Sequence, residues 1–241
     1  MPSMQVSPRA SNGSPETSGE AKQQLVDAIR MLEHAGIIDQ NGHCSIRRDP
    51  QSFFINSGAS VRGALTTDDI VAVDLDGDFV EGAQKPPLEF HIHSEIFRAR
   101  PDVGAIAHTH PKWSTFLSMT GQKFRVVYAQ AALLGDIPLM DSPLSVNSKA
   151  RGEELARILG AGPAVLLKAH GATIVGADMV ECFALATYLE ENAYRQYMAM
   201  QIGEPYVFSD EEQRISRKNL GAPHLLRKTW DHFYSKLGQA G

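Results

Sequence analysis

Two histidines separated by one residue, His108 and His110, follow the apolar run of residues 103–107. In an extended chain, residues i and i+2 point to the same face, so we expect both imidazoles to leave the predicted strand together. Imidazole nitrogen is a ligand for Zn²⁺, Mn²⁺ and Fe²⁺, and this pair could form half of a metal site. Two histidines hydrogen-bonded to the backbone at a strand end are the alternative, because a half-site needs at least one further ligand.

Two other residues could complete such a site. His170 lies between two strand-like runs and precedes Gly171, where the missing side chain allows a sharp turn or a close backbone approach. An ordinary turn histidine is the alternative. Glu89 precedes His93 by four residues, so a helix would place both on one face; a solvated pair on a helix surface is the alternative here.

Two loops carry groups that could bind an anion. Residues 41–45 include His43, and residues 55–63 include Ser57, Gly58 and Arg62. Backbone N–H groups beside glycine, together with an arginine, can cradle an anion. Both loops also have the composition of ordinary turns, so they bear on function only if the fold brings them beside the histidines.

Hydrophobic periodicity and breaker residues predict alternating helices and short strands around these residues. Asp76-Gly77 between two apolar runs indicates a hairpin. No G-x-G-x-x-G motif follows a strand and no Walker A sequence is present, which favours a layered α/β domain over a Rossmann repeat. We predict helices over residues 20–35, 89–100, 112–119, 148–159, 179–201 and 223–237, and strands over 44–47, 52–55, 70–75, 79–80, 103–108, 137–140, 164–167 and 172–175.

Composition is that of an ordinary globular protein: of 241 residues, 43% are hydrophobic and 21% are charged. We predict one domain over residues 20–241 and a disordered tail over 1–19, which is rich in Ser, Pro and Gly. The net charge of −5 argues against nucleic acid as a partner. No apolar run reaches the roughly 18 residues of a membrane span, there is no secretory signal, and two cysteines make no disulfide framework, so we expect a cytoplasmic protein without a membrane partner.

The order and spacing of these motifs resemble the class II aldolase/adducin family, over about residues 22–205. The resemblance implies a three-layer α/β/α sandwich with a mostly antiparallel central sheet, commonly assembled as a homotetramer. It also implies one divalent metal ion per subunit, Zn²⁺ or Mn²⁺ with Fe²⁺ possible, held by His108, His110, His170 and Glu89, with Glu89 as ligand or acid/base. The matching segments are residues 42–47, 55–58, 89–93, 98–103, 108–111 and 168–171.

The chain departs from the sugar-phosphate aldolases of that family at their phosphate donors. Those aldolases have Asn where this chain has His43, and a Ser-Ser pair where it has Pro87-Leu88. The side chains of Pro and Leu donate no hydrogen bond, and a phosphate dianion would be poorly satisfied there. A phosphorylated ketose is therefore not the expected substrate, and the chain is more similar to the decarboxylase-type members.

The leading hypothesis is a metal-dependent lyase that decarboxylates a hydroxylated aromatic or heteroaromatic (di)carboxylate or a related oxo acid. In this hypothesis Glu89 or a metal-bound water protonates the carbanion, and His43, Ser57, Gly58 and Arg62 bind the anionic and hydroxyl groups of the substrate. Three alternatives stay open: an aldolase acting on an unphosphorylated hydroxy-oxo acid or sugar derivative, a non-haem iron oxygenase of an aryl pyruvate, and a non-catalytic interaction module.

Overall fold

The computed structural model describes residues 15 and 17–237, and its first helix is α1 (Ser18–His34). The Thr17 side chain accepts a hydrogen bond from the Glu20 backbone N–H, and the Glu20 carboxylate accepts one from the Thr17 backbone N–H. This capping box satisfies two N–H groups at the start of the helix. Residues 18 and 19 therefore belong to α1 and not to the predicted tail; residues 1–14 and 16 of that tail lie outside the described residues.

The described residues form one sheet of eight strands in the order β4-β3-β2-β1-β5-β8-β7-β6. All neighbouring strands are antiparallel except β6 and β7, which are parallel. The mostly antiparallel sheet is therefore confirmed. The strands are β1 (His43–Asp49), β2 (Ser52–Asn56), β3 (Ile70–Asp74), β4 (Phe79–Glu81), β5 (Ala105–Thr109), β6 (Leu139–Met140), β7 (Ala164–Leu167) and β8 (Gly171–Gly176).

The predicted hairpin at Asp76-Gly77 joins β3 to β4. The Asp74 carboxylate accepts hydrogen bonds from the backbone N–H groups of Asp76 and Asp78, each at 2.9 Å. Gly77 has a φ of +93°, and a Cβ there would meet the Phe90 ring at 2.4 Å. The turn therefore favours glycine for its backbone angle, and any side chain there would displace the Phe90 ring.

Helices cover both faces of the sheet. Residues of α2 and α4 pack with Ile55 and Ile106 on one face. Residues of α1, α5 and α7 pack with Ile46 and Ile174 on the other. Because both faces are buried, neighbouring strand residues alternate between two apolar layers. The remaining helices are α2 (Phe90–Ala99), α3 (Lys112–Met119), α4 (Lys149–Leu159), α5 (Met179–Ile202), α6 (Asp210–Leu220) and α7 (Pro223–Leu237).

The C-terminal part contains one helix that the sequence analysis missed, α6. Its one buried residue is Gln213, so it carries no apolar stripe, although Ser209 and Glu212 form a capping box at its start. The predicted helix over residues 223–237 is confirmed as α7, whose Trp230 packs edge-on against Phe183 with ring centroids 5.4 Å apart. No helix among the described residues is both long enough and apolar enough to cross a bilayer.

Candidate metal centre

Four side chains converge at one end of the central strands: Glu89, His108, His110 and His170, here called the metal centre. Their nearest ligand atoms all lie within 4.8 Å of one another. Nε2 of His108 is 3.2 Å from Nε2 of His110 and 3.6 Å from Oε2 of Glu89, and Nε2 of His170 is 3.8 Å from Oε1 of Glu89. Ligands placed tetrahedrally at 2.0–2.2 Å from an ion are about 3.3–3.6 Å apart, so the four side chains fit a divalent metal ion.

Separate elements bring these residues together. His108 is in β5 and His110 follows it directly, so the same-face relationship expected from their spacing places both rings in the centre. His170 lies in the turn between β7 and β8, directly after Ala169, whose φ of 53° lies in the left-handed region. Glu89 is the residue before α2, so this helix begins one residue later than predicted.

Burial favours the neutral, metal-binding form of two of these histidines, His108 and His170. It lowers the pKa of His108 well below the usual value, and the neighbouring His110 lowers it further. Burial likewise lowers the pKa of His170, against the opposing effect of the Glu89 carboxylate. A neutral imidazole has a free lone pair for a metal ion, whereas a protonated one has none.

Hydrogen bonds to Nδ1 orient the rings of two of the histidines, His108 and His110. Nδ1 of His110 is 2.8 Å from Oδ1 of Asp39, and Nδ1 of His108 is 3.3 Å from Oγ1 of Thr173. Holding Nδ1 as the donor leaves Nε2 of each ring free for a metal, which is the usual role of such partners. Nδ1 of His170 is buried without a hydrogen-bond partner among the described residues.

Asp39 is a functional candidate that the sequence analysis missed. Its carboxylate also accepts hydrogen bonds from the backbone N–H groups of Asn41 and Gly42. Burial alone would raise the pKa of Asp39, but these hydrogen bonds and His110 together lower it, so the group is held as an anion. Asp39 lies just before the loop of residues 41–45 and outside the matching segments, and its pairing with His110 is visible only in the fold.

The Glu89 carboxylate is held from two sides. Oε1 accepts a hydrogen bond from the Val146 backbone N–H at 2.7 Å. Oε2 faces Nε2 of His108 at 3.6 Å and Nε2 of His43 at 3.9 Å. His43 lies between Glu89 and His93: its Nδ1 is 2.7 Å from Nε2 of His93, and Glu89 itself precedes the helix that carries His93. The solvated-pair alternative for Glu89 and His93 is therefore wrong, since His93 is fully buried.

The four predicted substrate-binding residues lie at different distances from the centre. His43 pairs with His108 across β1 and β5, and its Nε2 faces Glu89. Ser57 donates a hydrogen bond to Gln84, and the Gly58 N–H donates to the Lys85 carbonyl, so both contact the segment leading to Glu89.

Arg62 is buried and donates hydrogen bonds to two loops. Its Nε donates to the Gly42 carbonyl at 2.7 Å, and its Nη1 donates to Ser60 and to the Ser57 carbonyl. These bonds connect the loop of residues 57–60 to the start of β1. Through them, Arg62 supports the segment that carries His43.

A cavity of about 650 Å³ lies elsewhere, between α5, α7 and the end of α1. Its lining contains none of the predicted site residues. It includes Glu190, whose carboxylate accepts hydrogen bonds from the backbone N–H groups of Trp113 and Ser114 at the start of α3. The chemistry predicted from the histidines is therefore not located in this cavity.

Comparisons with known proteins agree with this geometry. Residues 23–197 match the family described as class II aldolase and adducin N-terminal domain. The 3,4-dihydroxyphthalate decarboxylase of Arthrobacter keyseri is 26% identical over 242 residues, covering 94% of this chain and 98% of that protein. The 5-methylthioribulose-1-phosphate/5-deoxyribulose-1-phosphate aldolase of Rhodospirillum rubrum is 31% identical over 198 residues, covering 80% of this chain and 88% of that protein.

The solved structures share the fold. The L-fuculose 1-phosphate aldolase from Glaciozyma antarctica has a TM-score of 0.82 at 22% identity and covers 95% of this chain and 94% of its own. The two sequence relatives are lyases by name, and the decarboxylase is matched over more of this chain than the aldolase. With its metal centre and a family match over most of its length, this chain belongs to the class II aldolase and adducin N-terminal domain family.

Proposed function

We propose that the protein is a metal-dependent carboxy-lyase that removes CO₂ from a hydroxylated aromatic or heteroaromatic dicarboxylate, such as 3,4-dihydroxyphthalate. The observation that carries the proposal is a full set of metal ligands next to a segment that lacks phosphate donors. Directly before Glu89, Pro87 is buried and the Leu88 side chain is 83% exposed. Neither side chain donates a hydrogen bond. The decarboxylase relative, matched over 94% of the chain, supports the same substrate class.

Glu89, His108, His110 and His170 would hold one divalent ion per subunit, Zn²⁺ or Mn²⁺, with Fe²⁺ also compatible with these ligands. When bound, such an ion supplies a Lewis acid that stabilises the negative charge left as the carbon–carbon bond breaks. Asp39 orients His110, and the Val146 N–H orients Glu89. These two proposed ligands are therefore held in position before a substrate binds.

Decarboxylation leaves the electron pair of the broken bond on the ring carbon, which must then take up a proton. Oε2 of Glu89 is the atom we assign to this transfer, because Oε1, which accepts the Val146 N–H and faces His170, would be the oxygen that holds the metal ion. A protonated carboxyl donates one hydrogen bond and an ionised one only accepts, so Glu89 can deliver the proton and recover it from water.

We propose that the substrate-binding residues are His43, Ser57, Gly58 and Arg62. Nε2 of His43 faces the centre and can meet a substrate oxygen directly. Ser57 and Gly58 support the segment before Glu89, and Arg62 supports the start of β1. We also propose a cytoplasmic location and a homo-oligomer, a tetramer or larger; light scattering on the purified protein would test the oligomer.

The test is release of CO₂ from 3,4-dihydroxyphthalate and from related hydroxylated dicarboxylates, measured on protein stripped with a chelator and reloaded with Zn²⁺, Mn²⁺ or Fe²⁺. We expect CO₂ release with at least one metal, none after stripping, and loss in His170→Ala. His224→Ala, an exposed histidine on α7, is the matched control and should retain activity. A reloaded protein that binds these acids and releases no CO₂ from any of them would contradict the proposal.

An aldolase is the second candidate, favoured by the 31% identity to the Rhodospirillum rubrum enzyme. It would use the same metal centre and the same Glu89. An unphosphorylated hydroxy-oxo acid would then yield pyruvate or an aldehyde and no CO₂. Assaying pyruvate, aldehyde and CO₂ in the same reactions separates the two candidates.

A further inference from the structure

Three buried polar side chains form a continuous chain that ends at the metal centre. Oγ of Ser45 is 2.6 Å from Nδ1 of His93, and Nε2 of His93 is 2.7 Å from Nδ1 of His43. Ser45 and His93 are 0% exposed and His43 is 1% exposed. Ser45 and His43 are two residues apart on β1 and so face α2 together, where His93 lies between them.

His93, in the middle of this chain, is neutral, because burial lowers its pKa to about 3. A neutral imidazole donates through one nitrogen and accepts through the other. The two hydrogen bonds therefore have two self-consistent directions, which leave His43 Nε2 either carrying a hydrogen or presenting a lone pair to the centre.

The buried Ser45 hydroxyl decides between these directions, because among the described residues its one hydrogen-bond partner is Nδ1 of His93. If Ser45 Oγ accepted a hydrogen bond from His93, the hydroxyl hydrogen would be buried without an acceptor, so Ser45 donates to His93 Nδ1. His93 then donates through Nε2 to Nδ1 of His43, which leaves the hydrogen of His43 on Nε2. That nitrogen is buried with no hydrogen-bond partner among the described residues and lies 3.9 Å from Oε2 of Glu89.

We propose that Ser45 and His93 are positioning residues that hold His43 in its Nε2–H form, so that this N–H binds an anionic oxygen of a ligand at the metal centre. Ser45 Oγ–H donates to Nδ1 of His93, and His93 Nε2–H donates to Nδ1 of His43. The chemical class of that ligand, a carboxylate, rests on the proposed function. The position of the hydrogen on His43 does not, because it follows from contacts within this chain.

The first experiment reads the hydrogen directly, by ¹⁵N NMR of histidine-labelled protein without metal or substrate. We expect a single Nε2–H form for His43, with the signal assigned by its loss in His43→Gln. Ser45→Ala and His93→Leu should each allow the Nδ1–H form to appear, while Ser45→Thr, which keeps the hydroxyl, and the control His91→Gln on α2 should not. An Nδ1–H form in the native protein, or a single unchanged form in folded Ser45→Ala and His93→Leu, overturns the proposal.

The second experiment measures binding of 3,4-dihydroxybenzoate to metal-loaded protein by calorimetry. Losing one hydrogen bond to a charged group should weaken binding roughly 10-fold or more in Ser45→Ala and His93→Leu, with recovery in Ser45→Thr and no change in His91→Gln. Equal affinity in all four variants contradicts the role assigned to the His43 N–H. If the native protein does not bind this acid, the proposed substrate class fails, and the NMR result alone decides the role of Ser45 and His93.

Discussion

The carboxylate of Asp39 lies 2.8 Å from Nδ1 of His110, although 71 positions separate the two residues in the chain. Asp39 belongs to the loop before β1 and His110 follows β5. The antiparallel pairing of β1 with β5, which sets His43 opposite His108, brings the two together. A candidate metal ligand and the carboxylate that orients it thus lie next to two neighbouring strands.

Removing the negative charge of Asp39 should weaken metal binding. We expect Asp39→Asn to lower the affinity for Zn²⁺ or Mn²⁺ roughly 10-fold, because mutating such outer partners typically costs 10- to 100-fold. A competition titration against a chromogenic chelator measures the change. Asp76→Asn makes the same charge change at an exposed turn and should leave the affinity unaltered; equal losses in both variants would show that the effect is one of net charge.

The metal-free protein should lose stability as the pH falls below about 6.5, because buried histidines stay neutral in the folded state and become protonated on unfolding. For His93 this window extends from 6.5 down to about 3. Within it the unfolded state binds one more proton, which lowers the free energy of unfolding by up to about 1.4 kcal/mol per pH unit. Urea unfolding at pH 7.5, 6 and 5 gives the free energy of unfolding as a function of pH. We expect its slope against pH to be shallower in His93→Leu than in the native protein, by roughly 1 kcal/mol per pH unit.

The exposed His224 provides the control for that slope. His224→Ala should retain the native pH dependence, because it removes an exposed imidazole and leaves the buried His93 in place. An unchanged slope in His93→Leu would mean that His93 is protonated in the folded protein.

Ala169 should be replaceable by glycine with a gain in stability. Its φ of 53° costs an L-residue about 1–2 kcal/mol, whereas glycine adopts this angle freely at an entropic cost of about 0.4–1 kcal/mol. We expect Ala169→Gly to raise the free energy of unfolding by roughly 0.5–1 kcal/mol, and Ala169→Val to lower it. Ala172→Gly, in the middle of the buried sheet, should be destabilising, which separates relief of strain from a general effect of glycine.

Restoring hydroxyl groups before Glu89 should change ligand preference. The double variant Pro87→Ser/Leu88→Ser adds two side-chain donors next to the centre, and we expect it to gain binding of a ketose phosphate that the native protein lacks. A thermal shift with fuculose 1-phosphate measures the gain, since a ligand that binds only the folded state raises apparent stability. Pro87→Ala/Leu88→Ala removes the same apolar groups without adding donors and should show no shift; a ketose phosphate that already stabilises the native protein would favour the aldolase candidate.

Much of the fold follows from local pattern. The ranges predicted for α3, β7 and α7 coincide with the observed elements, because apolar periodicity and bounding Pro or Gly residues act within a few positions. The helix α6 was missed because its residues are polar and its start is set by a cap, and the beginning of α1 was misplaced for the same reason.

The sequence by itself predicted the four candidate metal ligands, since His108 and His110 share a face through a two-residue spacing and Glu89 and His170 match a known family pattern. Only the tertiary structure decided how those ligands are supported. Asp39 reaches His110 across 71 positions, and His93 reaches His43 across 50, through strand pairing and helix packing. Such contacts depend on register between distant segments, and no local spacing encodes that register.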